Sequence, residues 1–243
     1  MNKPSFRKST VGRKVLAAVT GMILMAFIVV HLAGNLTLFI PDDGALFNSY
    51  AHHLEKMGPL LYAAEFALIV AFLIHIVMAV SVRKSQLDAR PERYAVYASK
   101  GGPSKQTLSS RSMLVTGILL LLFIPLHVWM FKFNQAQAMP MVDVNGEQVK
   151  DLYLVVLTAF KMPQKAVAYV AVMLMLGLHL RHGFWSSFQS LGALAPKWVP
   201  AFYSAGLVIA ILLAGGFIVM PLYLWQFGPD PETLRAAVAT IGL

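Results

Sequence analysis

The chain has 243 residues, 58% of them hydrophobic and 13% charged, with a formal net charge of +9 and no cysteine. So little charge cannot clothe a soluble domain of this size, which points to a polytopic membrane protein. The lack of cysteine excludes disulfides, thiolate metal sites, iron–sulfur clusters and covalently attached haem within the chain.

The N-terminus carries Lys3, Arg7, Lys8, Arg13 and Lys14, and nothing charged follows until Asp42. The apolar run 15–40 has no small-residue cleavage site followed by a polar chain, so it is expected as a retained first span rather than a signal peptide. Inside it stands "IVVHLAGNL", with His31 at mid-run and Asn35 one helical turn on. The short loop that follows contains His52 and His53, expected to be solvated. The second span, 59–82, holds His75 and also Glu65, the one acid inside a span.

A basic loop, 83–111, contains the flexible stretch "SKGGPSKQ". The third span, 112–133, carries Pro125 and "PLHVWMF" with His127. The next loop has "DVNGEQ", a turn signal, and then "DLYLVVLTAF", too short to span and expected as an amphipathic helix lying at the interface. The fourth span, 164–188, holds His179 and His182 in "GLHLRHGFWSSFQ". The fifth, 199–227, tolerates Gly215, Gly216 and Pro221 where neighbouring helices re-satisfy the backbone. No internal repeat is visible. The expected fold is all-α: a single integral membrane domain, 1–243, of five transmembrane helices, four of them forming a bundle.

The positive charge is not evenly placed. The N-terminus, the 83–111 loop, Arg181 and Lys197 hold fourteen of the 20 Lys and Arg residues, and only Asp88 and Glu92 among the acids lie on that side. The positive-inside rule then puts the N-terminus in the cytoplasm and the C-terminus outside. The +9 charge is read as orientation rather than nucleic-acid binding. The basic loop also suits docking of a soluble partner.

Four histidines stand at matched depth. His31 lies 17 residues past Lys14, and His75, His127 and His179 each lie 16 past Pro59, Arg111 and Pro163. Alternate spans run in opposite directions, so His31 and His127 fall toward the outer leaflet and His75 and His179 toward the inner one. At a rise of about 1.5 Å per residue the two levels are roughly 15 Å apart. A lone histidine in a span is usually a hydrogen-bonded interior residue or a proton relay. A bare metal ion would gather its ligands, with carboxylates, at one depth. Two pairs at two depths suit two haems instead. With an imidazole on each face of the iron no coordination position is open, which favours electron transfer over oxygen chemistry. His182 is the competing choice on the fourth span, on nearly the same face as His179. Gly34 and Gly183 are candidates for making room for a flat macrocycle, or for close helix packing.

The segments "VVHLAGNL", "PLHVWMF" and "LGLHLRHGFWSSFQSLG", with a lone histidine in the second span, resemble the membrane anchor of succinate:quinone oxidoreductases, in particular its single-chain, five-span cytochrome b form with two haems. The resemblance covers about residues 14–227. It implies two haem b groups, the outer held by His31 and His127 and the inner by His75 and His179. It also implies a flavoprotein partner and an iron–sulfur partner docked on the cytoplasmic face, in a bacterial cytoplasmic membrane. Electrons would pass from the iron–sulfur subunit through the haems to a quinone, menaquinone or ubiquinone.

A quinone needs donors to its carbonyl oxygens, an apolar slot and a proton source. On the inner side His182, Arg181, Trp185, Ser186 and Gln189 qualify, with Ser9 and Lys14. On the outer side Glu65 and Asn35 do, near Trp129. The same residues also fit an ordinary polar and aromatic belt, and the sequence leaves the side open. Two other functions use intramembrane histidines: the cytochrome b subunit of a hydrogenase or formate dehydrogenase, and a proton-coupled transporter, which usually shows repeat symmetry.

Overall fold

A computed structural model describes residues 9–89, 107–133, 141–144 and 146–241, with side chains as far as Ala236. "SKGGPSKQ" and most of the basic loop lie outside the described residues. Among the described residues, five helical stretches are long and apolar enough to cross a membrane: Thr10–Phe39, Pro59–Asp88, Met113–Phe133, Pro163–Ser190 and Pro196–Phe227. Their outward faces keep large apolar side chains in the open, among them Val30, Leu60, Leu122, Leu126, Ile211 and Leu212, each more than 60% exposed. Apolar surface on that scale needs lipid around it.

The spans extend the expected ranges mainly at their polar ends, because helical hydrogen bonding continues after the hydrophobic run stops. Helix α1 is Thr10–Asn35, tightened into a 3₁₀ turn over Leu36–Phe39. A helix α2, Ala45–Lys56, fills the first loop. Helix α3 is Pro59–Asp88. A single capped turn, α4 (Leu108–Arg111), leads into α5, Met113–Val128. There the chain widens to a π-helical turn over Trp129–Phe133, four residues beyond Pro125, which supplies no N–H to the helix. Helix α6 is Leu152–Phe160, α7 Pro163–Ser190, α8 Val199–Phe227 and α9 Pro231–Ile241.

The chain divides into two compact units. The first takes residues 1–28, 62–114 and 178–210: most of α1 and α3, the end of α7 and the start of α8. Arg13 ties α1 to α3 here, its Nη1 donating to Ser81 Oγ and Ser85 Oγ, both at 2.9 Å. Between α7 and α8, the Phe184, Phe188 and Phe202 rings cluster, Phe184 stacked on Phe202, and Arg181 lies 5.4 Å over the Tyr203 ring while donating to its hydroxyl at 3.2 Å.

The second unit takes 29–61, 115–177 and 211–243. It holds the parts that sequence reading did not resolve. "DVNGEQ" is the tip of a two-stranded antiparallel hairpin, β1 Met141–Val144 and β2 Glu147–Lys150, with Val144 opposite Glu147. Gly146 has φ +83, in the left-handed region that favours glycine. The "DLYLVVLTAF" helix is not an interfacial amphipath. In α6 Tyr153, Leu154, Val156, Leu157, Ala159 and Phe160 are all buried, and α6 packs on α2 and α9. A helix apolar all round is buried rather than laid on a surface.

A buried polar knot fixes the cap that α2, the hairpin and α6 form together. Asp151 caps α6 by accepting from Leu154 N at 3.0 Å, and the same oxygen accepts from Asn48 Nδ2 at 2.9 Å. Asn48 Oδ1 in turn accepts from Tyr153 N at 2.8 Å. His52, expected in solvent, instead meets Glu147 at 3.2 Å, because α2 lies along the hairpin. Lys56 bonds both oxygens of Glu147 and holds that carboxyl below the usual carboxylate range. His53 is exposed, as expected.

Candidate functional site: two imidazole pairs

The structure brings the four depth-matched histidines together two by two. In the second unit the rings of His31 and His127 lie 5.9 Å apart between centroids, with planes crossing at 84°. In the first unit those of His75 and His179 lie 6.4 Å apart, crossing at 70°. Two imidazoles on opposite sides of one metal ion, each at a bond length of about 2 Å, put their centroids roughly 6 Å apart once the rings' own size is added. Both pairs have that spacing.

The donor set also bears on what would fit between them. Among the described residues no group of three or more His, Cys, Asp or Glu side chains could hold a metal ion. A bare ion usually takes three or four protein ligands. Two imidazoles alone suit a metal whose remaining positions are filled by a ligand it brings with it, as a haem does. On α7 a Cβ added at Gly183 would meet nothing within 4 Å, so the helix face one turn beyond His179 is open. Gly34, the other glycine considered for a macrocycle, serves packing: the Tyr50 ring of α2 lies where its Cβ would be.

Each pair has a support at an Nδ1 atom. His75 Nδ1 lies 3.0 Å from the Ala17 carbonyl oxygen, a partner that only an N–H can satisfy. That leaves Nε2 with the free lone pair a metal needs. Thr20 sits 3.5 Å from the same nitrogen, with its own proton given to Leu16 O at 2.7 Å. The ring lies so close to α1 that a Cβ at Gly21 would stand 3.0 Å from His75 Cε1. His127 Nδ1 lies 3.1 Å from the Tyr169 hydroxyl. Asn35 donates to the His31 carbonyl at 2.7 Å, with its amide nitrogen 3.4 Å from His31 Nδ1. Its structural tie is therefore to the histidine itself.

Around the first pair the setting is aromatic. Phe123 and Phe131 flank His127 at 5.5 and 5.3 Å, and Phe217 faces His31 at 5.7 Å. Tyr169, Ala17, Thr20 and Gly21 were not singled out in the sequence. Tyr169 left a trace, as a hydroxyl in the otherwise apolar "AVAYVAVML". Ala17 and Gly21 left none, since small residues on a span read as packing.

The expected quinone-binding residues are placed as follows. Trp185 is buried, edge-on to Tyr203 at 6.1 Å. With Gln189, Leu194, Pro196 and Val199 it lines a pocket of about 130 Å³. Ser186 turns its hydroxyl to Gly183 O at 3.4 Å, and Arg181 is engaged with Tyr203. His182 is partly buried. Ser9 accepts from Gly12 N at 3.0 Å as a helix cap, and Lys14 is exposed. Glu65 is partly buried, while Tyr62 is 68% and Trp129 60% exposed.

No family model, curated protein or solved structure matches the chain. The fold and its exposed apolar faces define a polytopic helical membrane protein, with five candidate spans among the described residues.

Proposed function

We propose that the chain is the membrane anchor and electron-transfer subunit of a succinate:quinone oxidoreductase, holding two b-type haems. The observation that carries this is the pair of imidazole pairs, drawn from four different spans, with centroids 5.9 and 6.4 Å apart. The likeness of "VVHLAGNL" and "LGLHLRHGFWSSFQSLG" to the anchors of that family supports the choice among cytochromes.

A haem bound between two imidazoles would supply one-electron transfer. The chain's own residues prepare its place. His31 and His127 would hold the outer group, and His75 and His179 the inner. The Ala17 carbonyl keeps His75 in the tautomer that presents Nε2. Gly21 lets that ring lie against α1. The positive charge of the loop after α3 suits docking of an iron–sulfur subunit on the cytoplasmic side, itself joined to a flavoprotein. Trp185 and Gln189 line the slot of about 130 Å³ where a quinone headgroup would enter.

Purification from native membranes tests the assignment. The expected result is a complex with a flavoprotein and an iron–sulfur protein in which succinate reduces low-spin b-type bands. Bands reduced by hydrogen or formate and not by succinate would overturn it, as would a colourless preparation.

A further inference from the structure

Tyr169 lies on α7, 8% exposed, among the rings of Phe123, Phe131 and Phe160 at 5.0, 6.1 and 5.0 Å. Its hydroxyl donates to Met130 Sδ at 3.9 Å. The same oxygen stands 3.1 Å from His127 Nδ1. When Nε2 is given to a metal, Nδ1 carries the ring hydrogen and the phenol oxygen is its acceptor. The π-helical turn at Trp129–Phe133 brings Met130 and Phe131 to this contact just after His127.

The other pair has the same support built from a different acceptor, the Ala17 carbonyl at 3.0 Å from His75 Nδ1. A peptide carbonyl draws an Nδ1–H more strongly than a phenol does. The more strongly it is drawn, the more negative the imidazole becomes, and the better it stabilises an oxidised metal. One imidazole is thus held by a strong acceptor and one by a weaker one.

We propose that Tyr169 is a positioning residue for His127: it fixes the tautomer that presents Nε2 and sets the reduction potential of the centre that His31 and His127 hold, a role resting on the dihaem reading above. Loss of the phenol oxygen leaves the Nδ1–H without an acceptor, makes the imidazole a poorer electron donor and raises that potential.

The test is a redox titration of the visible bands in the full complex, with and without Tyr169→Phe. One of the two midpoints is expected to rise, so that at fixed ambient potential its reduced-to-oxidised ratio increases by roughly threefold to tenfold, the size of one hydrogen bond. The other midpoint stays put. The moving midpoint belongs to the haem that His127→Ala removes. If the phenylalanine chain does not retain that haem, 3-fluorotyrosine at position 169 keeps the ring and hydroxyl with a poorer acceptor oxygen, and is expected to shift the same midpoint upward by less. Unchanged midpoints, or an equal shift of both, would overturn the role of Tyr169. A wild-type complex without haem would instead overturn the dihaem reading itself.

Discussion

His75 is held by a surface that sequence periodicity does not reveal. Ala17, Thr20 and Gly21 form one face of α1, Thr20 three and Gly21 four residues beyond Ala17, and together they let the Nδ1 edge of an imidazole from α3 come against the helix at a carbonyl. The four histidines themselves were legible because each is a costly polar group at a countable depth. Their supports were not, since an alanine, a glycine and a carbonyl oxygen carry no signal of what faces them. A branched side chain at Gly21 tests the contact. With a Cβ already 3.0 Å from Cε1 and 3.3 Å from Nδ1, Gly21→Val must push the ring off the Ala17 carbonyl. The haem proposed between His75 and His179 should then bind at least about tenfold more weakly, read as haem content after dilution in detergent, while the other proposed haem is retained. Full retention of both would show that the ring does not need this seat.

At the scale of elements the spans and the connections between them behave differently. The spans were readable because twenty or so apolar residues in a row have few alternatives. The cap was not. Each strand of the hairpin is four residues long, too short for alternation to stand out, and only its Asn-Gly tip was visible. Helix α6 departs from the expected interfacial amphipath for a definite reason: its residues are apolar on nearly every side, Thr158 apart, which fits burial against α2 and α9 better than a place at an interface. The cap turns on Asn48 and Asp151, 1% and 2% exposed. Asn48→Ala strands the Tyr153 N–H and takes a donor from Asp151, at a cost of about 1–3 kcal/mol. Hydrogen exchange at the Tyr153 and Leu154 amides should speed up accordingly, with haem content unchanged. Exchange at the wild-type rate would mean that the knot contributes little to holding α6.

At the scale of the whole molecule, four spans that alternate in direction present their histidines as two pairs, and each compact unit contains one pair. The depth count pairs the histidines as their ring contacts do, His31 with His127 and His75 with His179. Depth alone did not predict how close the rings would be. That closeness depends on the glycines and aromatic rings packed around them, and it bears directly on whether one iron fits between two imidazoles. The most direct measurement is the haem content of the purified chain and of four single variants. Wild type is predicted to hold two b-type haems. His31→Ala and His127→Ala should each lose one and keep the same spectrum as one another. His75→Ala and His179→Ala should each lose the other. A chain without haem, or variants whose losses pair His31 with His75, would contradict the account.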